Sequence, residues 1–477
     1  MEQRQYPRRI RKLIISPHPF FLSCLFLFLM FSPAEGQAGW KAGVSKKIIT
    51  PQYSMWMAGY AARTEPSQGK IHDLWAKALA LEDANGNHSV LVTLDLVGLP
   101  KEISDKIRDK IKDELNLDRS QIILNSSHTH SGPVLENALP DIYPLNDKEQ
   151  EKITNYSTEF ISAITTLVEA AFSNLEPVKI YAGNGVSRIA VNRRNNIERQ
   201  LSIQTELEGP NDFGVPVLKV ENASGKILAI AFGYACHPTV LDTTLWSGDY
   251  PGFAQIELER SHEGATALFF QGAGADQNPM PRRTIPLARQ YGRTLAAAVD
   301  RVLEEGMKEL SPELKTIYQE IPLGINPSPT RDELTFYIDS IVPDGYQKRW
   351  AQRVRDRLDA GEVFPDTYAF PVQVWRLGDQ ALFSIGGETV SGYAIQLKQI
   401  FGDQAFVLGY CNDVVSYIPT ALILHEGGYE GCVAQQVYGL TGTWAYDTEN
   451  QIISHLVSMG REIGIPLPDH KIFEITE

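Results

Sequence analysis

Apolar and polar positions divide the chain into alternating strand and helix patterns. Ser89–Gly98 (SVLVTLDLVG) is a nearly unbroken apolar run rich in β-branched residues, which predicts a strand buried on both faces. From Glu102 to Glu114 charged and aliphatic residues recur at helical spacing, and Gln121–Ser127 (QIILNSS) predicts a second strand. A strand–helix–strand unit implies two parallel strands joined by a crossover. Glu149–Leu175 predicts a long helix. PVLKVENASGKILAIAFGYACHP predicts a hairpin turning at residues 223–226, whose second strand runs into Cys236-His237-Pro238. TALFFQGAGADQNP predicts a strand entering a Gly/Ala-rich loop. VQVWRLGDQALFSIGGE predicts a hairpin turning at Gly378-Asp379 and ending at Glu388. A helix over Ser391–Ile400 follows, then AFVLGYCNDVVSYIP, a strand leading into a loop with Tyr417, and a last helix closing near Ile463. No internal repeat or linker interrupts the series. The fold expected is α/β: a mixed β-sheet core flanked by helices, as a single large domain.

One event recurs along this series: an apolar strand ends, and a polar, ligand-type residue follows at once. Open α/β sheets bind ligands beyond the carboxyl ends of their strands. His128 and His130 stand just past the second strand, in ILNSSHTHSGP. Extended residues at i and i+2 point to one side. The two imidazoles therefore either converge on one cation, or one binds it while the other moves protons. Pro238 pushes His237 toward an extended backbone. The glycines before Glu388 leave room around its carboxylate. Taken singly, His237 reads as a buried histidine, Glu388 as a helix N-terminal acid, and Tyr417 and Tyr429 as packing aromatics. Taken together they supply the nitrogen and oxygen donors that zinc takes.

Composition narrows the setting. Of 477 residues, 43% are hydrophobic and 21% charged, which is ordinary for a globular protein. The formal net charge of −14 argues against nucleic acid as a partner, since phosphate binding needs clustered Lys and Arg. No obligatory protein partner is implied. Residues 1–36 carry a basic start (Arg4, Arg8, Arg9, Arg11, Lys12), an apolar Phe20–Phe31 and small residues around Ala34–Ala38. This is the pattern of a signal peptide, with an uncleaved anchor as the alternative, so residues 37–477 are expected to be secreted or periplasmic. Cys236, Cys411 and Cys432 remain beyond it. Export permits a Cys411–Cys432 disulfide; three buried thiols are the alternative.

Several stretches carry a resemblance: GYAAR near Gly59, LVTLDLVGL, LNSSHTHSGP, VNRR, CHPTVL with SGDYPG, FFQGAGADQNP, GGET, and SYIPT with GGYEG. In this order they resemble the N-terminal catalytic domain of the neutral/alkaline, non-lysosomal ceramidases, which are zinc amidases. The resemblance implies Zn2+ held by His128, His237, Glu388 and Tyr417. It also implies His130 near the reacting carbonyl, Tyr429 facing the oxyanion and Arg193 in the active site. Asp95 and Asp276 are candidate acceptors behind the histidines. Two features depart from the family. A serine often described as its nucleophile aligns with Asn278, whose amide cannot become an alkoxide. The family's C-terminal β-sandwich has no counterpart before the sequence ends. Both weaken ceramide as the substrate more than they weaken zinc hydrolysis. The function expected is hydrolysis of an N-acyl bond in a small-molecule, lipid or glycan substrate, reached in the lipid case at a membrane surface. A carbohydrate deacetylase or esterase, or a non-catalytic binding module, are the alternatives.

Overall fold

Strand Ile122–Ser126 is buried at all five positions, and His88–Leu94 at six of seven. Neither strand has a wet face, so the sheet must be covered on both sides. The two pair in parallel, from Val90 opposite Ile122 to Leu94 opposite Ser126. Helix Lys101–Leu115 joins them and turns Ile103, Ile107 and Ile111 inward. The strand–helix–strand unit read from the sequence is therefore present. The computed structural model describes residues 39–340 and 345–467, all within one compact unit. The leader expected over residues 1–36 lies outside the described residues. Among those described, no helix is long and apolar enough to cross a membrane.

Among the described residues, the largest sheet has nine strands. Trp40–Ile48 lies at its centre, antiparallel to Trp75–Glu82 on one side and to Glu176–Val186 on the other. Trp75–Glu82 pairs antiparallel with His88–Leu94. Beyond Glu176–Val186 comes the expected hairpin, Gly214–Asn222 with Ile227–Tyr234, and then Thr266–Gln271, parallel to its neighbour. The α/β class with a mixed sheet is as read. A second sheet adds a layer: Leu314–Gly324, Thr367–Leu377 and Gln380–Ile385 form an antiparallel meander, with Phe406–Leu408 added in parallel.

The cores show four layers. Ile107, Phe160 and Ile164 pack helices against one face of the large sheet, through Val92, Leu94 and Leu124. Tyr250, Leu258, Leu295 and Val299 do the same farther along that face. On the opposite face Leu79, Leu91, Ile123 and Phe270 meet Trp375, Leu382 and Phe406 of the second sheet. Helices Ser391–Phe401 and Thr448–Glu462 cover the far side of that sheet with Leu397, Leu456 and Met459. Full burial of each such side chain contributes about 1.5–3 kcal/mol.

Buried amides fasten the two sheets at their carboxyl ends. Asn125 Nδ2 donates to the Gly409 carbonyl (2.8 Å), and its Oδ1 accepts from the Gln271 amide (2.8 Å). Asn412 Oδ1 accepts from the Leu124 amide at 3.0 Å. The Cys411–Cys432 disulfide that export would permit is absent, and the alternative of three buried thiols does not hold either. All three described cysteines are free, and Cys432 is exposed, whereas Cys411 is buried with Sγ 3.1 Å from the Gly409 carbonyl oxygen.

Candidate metal centre

Three strand ends and one short ladder deliver the polar cluster. His128 and His130 follow Ile122–Ser126, and His237 follows Ile227–Tyr234. Glu388 follows Gln380–Ile385 of the second sheet. Tyr417 reaches it through a two-residue parallel ladder in which Glu388 faces Tyr417 and Thr389 faces Ile418. The ladder explains how residues distant in sequence share one point. His128 Nε2 and His237 Nε2 each lie 3.1 Å from Glu388 Oε2. Tyr417 Oη lies 3.2 Å from His237 Nε2, and His130 Nε2 lies 3.1 Å from His128 Nε2. Ligand atoms of His128, His130 and His237 fall within 4.8 Å of one another, a grouping able to hold a metal ion.

The expected convergence of His128 and His130 occurs, but not by the expected route. The strand stops at Ser126, and His128 adopts φ = 64°, a left-handed conformation. The two rings meet edge to face, with centroids 4.8 Å apart. A tight turn, not an extended His-x-His, brings them together.

Proton positions identify the donor set. His128 Nδ1 donates to the Val97 carbonyl (2.6 Å), and His237 Nδ1 to the Gly274 carbonyl (3.1 Å). A carbonyl only accepts, so each Nδ1 carries a proton and each ring turns its Nε2 inward, the nitrogen that a neutral imidazole leaves open to a cation. Burial first, and then the Arg193 charge, push the His237 pKa down to about 4, so that ring is neutral near pH 7. Burial opposes charge on Glu388 as well, yet the His128 and His237 rings hold its carboxyl well below the usual range. Two imidazole Nε2 atoms thus converge on one carboxylate oxygen, a set that would bind a cation once no proton lies between them. Donors about 2.0–2.2 Å from a tetrahedral zinc stand about 3.3–3.6 Å apart, slightly wider than the 3.1–3.2 Å spacings found here. The residues present fit a divalent cation.

The surroundings differ from expectation in several places. Asp95 and Asp276 do not hold the histidines, because backbone carbonyls occupy both Nδ1 positions. Asp95 accepts from the Trp75 amide. Asp276 accepts from Ser391 N (2.7 Å), Ser391 Oγ (2.8 Å) and Asn192 Nδ2 (3.0 Å), and so anchors the start of helix Ser391–Phe401. Asn278 is buried, with Oδ1 3.5 Å from Arg193 Nη1 and 3.4 Å from Thr239 Oγ1. Arg193 Nη2 donates to Tyr417 Oη (3.1 Å), while its Nε is paired with Glu430 (2.8 Å). Tyr429 stands beside Tyr417, ring centroids 5.3 Å apart, and is 43% exposed.

Some neighbours carried no signal. Tyr438 donates to Glu388 Oε1 at 2.6 Å. Arg63 donates to the carbonyls of His130 (2.7 Å), Ala58 (2.8 Å) and Thr243 (3.1 Å). Gly59, at φ = 106°, lies against the His130 ring where a Cβ would come within 2.5 Å of Nδ1. GYAAR and GGYEG both belong to the resemblance, which gave no role to Gly59, Arg63 or Glu430.

Fold and site together define an α/β protein with a buried, metal-type donor cluster at its strand ends. Comparison with known proteins gives the lineage. The sequence profile of the neutral/alkaline non-lysosomal ceramidases, N-terminal region, matches residues 40–279, and the chain belongs to this family. It is 25% identical over 277 residues to the neutral ceramidase of Pseudomonas aeruginosa, covering 54% of this chain and 40% of that protein. It is 23% identical over 249 residues to the neutral ceramidase of Drosophila melanogaster, covering 50% and 34%. The matches thus span well under half the length of these relatives. The crystal structure of the Pseudomonas aeruginosa neutral ceramidase superposes with a TM-score of 0.68 at 19% identity, over 88% of this chain and 74% of that one. A ceramidase complexed with C2 superposes equally well, at 18% identity over 90% and 76%.

Proposed function

We propose that this chain is an exported zinc-dependent hydrolase of an N-acyl or related acyl bond, with His128, His237, Glu388 and Tyr417 holding the ion. The observation that carries the reading is the trio His128 Nε2, His237 Nε2 and Glu388 Oε2, the two nitrogens each 3.1 Å from the carboxylate oxygen while each Nδ1 is taken by a backbone carbonyl. Family membership supports the reaction class. Zinc in such a setting polarises an acyl carbonyl and lowers the pKa of water from about 15.7 toward about 7.

The remaining roles follow from the chain's own groups. His130 differs from the other two histidines in one respect: its Nδ1 is buried without a hydrogen-bond partner. Its Nε2 instead stands 3.1 Å from His128 Nε2, placed to carry a proton and pass it to the leaving group. Arg193 holds the Tyr417 oxygen in place. Tyr429, exposed at the rim, presents an O–H to the developing oxyanion; one such donor is typically worth about 10²–10³ in rate. Asn278 offers no nucleophilic oxygen, which assigns the attack to water. The leader pattern supports export.

Elemental analysis of purified protein, joined to a screen of N-acyl and O-acyl substrates, tests the reading. One zinc per chain and turnover that disappears in His128→Ala are expected. Protein that binds no zinc and hydrolyses no member of the panel, with or without added zinc, rejects it in favour of a binding module.

A further inference from the structure

Arg282 and Arg283 lie just past the short strand Gln277–Pro279, the segment that carries Asn278. Two separate chains of side chains connect the pair to the donor cluster. Along one, Tyr417 Oη accepts from Arg193, Arg193 and Thr239 converge on Asn278 Oδ1, and Thr239 Oγ1 accepts from Arg282 Nη1 at 3.3 Å. Along the other, the His130 ring packs on Tyr60 (4.7 Å), and the Arg283 guanidinium lies 5.6 Å from that same Tyr60 ring. The two arginines therefore lie outward of the cluster on the side of His130 and Asn278, Arg283 across the Tyr60 ring and Arg282 across Thr239, Asn278 and Arg193.

Neither guanidinium is locked in an ion pair. Arg193 and Arg194 show what locking looks like: each is 2.8 Å from a carboxylate oxygen of buried Glu430. The Arg282 guanidinium instead has Glu198 at 3.8 Å and Arg283 has Asp242 at 3.5 Å, both acids being well exposed. Surface pairs of this kind are weak and exchangeable. The Arg282 side chain is only 18% exposed, and its Nε is buried with no hydrogen-bond partner. Arg283 is held at φ = 83°, which is disfavoured for any residue with a Cβ and marks functional loops more often than inert ones. Burial, and then the adjoining Arg283 charge, push the Arg282 guanidinium down from its ordinary pKa. All of this sits on a chain of net charge −14, where two adjacent cations beside a reaction centre need an explanation.

We infer that Arg282 and Arg283 are specificity-determining residues that bind an anionic group, phosphate or carboxylate, on the substrate near its scissile acyl bond. The inference rests on the hydrolase reading and names its substrate class: an acidic N-acyl compound rather than a neutral one. The planar guanidinium fork suits both anions. Asn278 and Thr239, both buried, make the path from Arg282 to Arg193 polar throughout.

Three substrates sharing one acyl chain test this: N-lauroyl ethanolamine, N-lauroyl glycine and N-lauroyl phosphoethanolamine. The zinc-loaded full chain is expected to show kcat/KM at least about tenfold higher for one of the two anionic compounds than for the neutral one. That ratio should fall toward one in the Arg282→Gln/Arg283→Gln double variant, and should shrink with added salt. Which anion wins separates a phosphate from a carboxylate source. A wild-type ratio of one or less, or a ratio that survives the double substitution, overturns the inference. If no compound is turned over, the hydrolase reading fails, and calorimetric titration of N-lauroyl phosphoethanolamine still decides the arginines. Saturable binding that the double variant loses upholds their role; binding that is absent, or equal in both proteins, ends it.

Discussion

The two halves of the donor cluster are built differently. His128 and His237 come from the large sheet, each just past a buried strand and each fixed by one backbone carbonyl. Glu388 and Tyr417 come from the second sheet, held by a two-residue ladder, by the Tyr438 hydroxyl and by the Trp444 indole, which donates to the Tyr417 carbonyl at 2.8 Å. The first half depends on one backbone contact per ring at strand ends of a single sheet. The second depends on side chains and strands that meet only once the tertiary fold is complete. Imidazole placement should therefore fail abruptly when a ligand is removed, whereas carboxylate and phenol placement should weaken by degrees.

The largest effect is expected from His237→Ala. Metal content, read by elemental analysis, should fall from one per chain toward zero, and activity by about 10³-fold or more. Full metal retention in this variant, with loss in Glu388→Gln, would reverse the ranking of the two halves. Next comes pH. Asp413, 2% exposed, hands its carbonyl to the Gly387 amide beside Glu388 and accepts the Tyr368 hydroxyl at 2.6 Å. Burial pushes its pKa up to about 7. A carboxyl raised in the folded state favours folding below its unfolded pKa of about 3.9, and this contribution is lost as pH rises toward about 7. The span amounts to at most about 4 kcal/mol. Denaturant melts should show stability falling across this window, and Asp413→Asn should flatten the slope; equal slopes would remove Asp413 from the account.

Gly274→Ala should follow. A Cβ there would lie 2.3 Å from the Ala235 carbonyl carbon, forcing the loop that holds His237 to move. A loss of about 1–3 kcal/mol is expected, with zinc affinity reduced alongside. An unchanged melting temperature would show that the loop yields freely. Smallest is Tyr438→Phe, which deletes one hydrogen bond to Glu388 Oε1. Zinc affinity should drop about 10- to 100-fold while the fold stays intact. A loss as complete as in His237→Ala would make the two halves equal partners.

Legibility in the sequence followed the same division. His88–Leu94, Lys101–Leu115 and Ile122–Ser126 were plain because period and composition act within a few residues. The stacking of a second sheet was not, since Leu314–Gly324 mixes buried, half-buried and exposed positions without a clean alternation. His128, His237, Glu388 and Tyr417 were drawn together by the family resemblance, and the coordinates bring their donor atoms to one place. The reason offered for the His-x-His pair, an extended backbone, did not hold, because the left-handed turn at His128 has no signature in a histidine. The Val97 and Gly274 carbonyls were invisible for a related cause: every residue has a carbonyl, and only the fold says which one a histidine meets. Asp95 and Asp276 were plausible acceptors by type, but their partners were set by strands and helix starts far off in sequence.

The two-residue ladder between Glu388 and Tyr417 has a consequence for the order of assembly. Until the chain has returned from Phe406–Leu408 to lay Tyr417 beside Glu388, half of the ligand set does not exist. On the proposed zinc reading, high-affinity uptake would come after the two sheets have docked, and a loaded ion would certify that a molecule has finished folding.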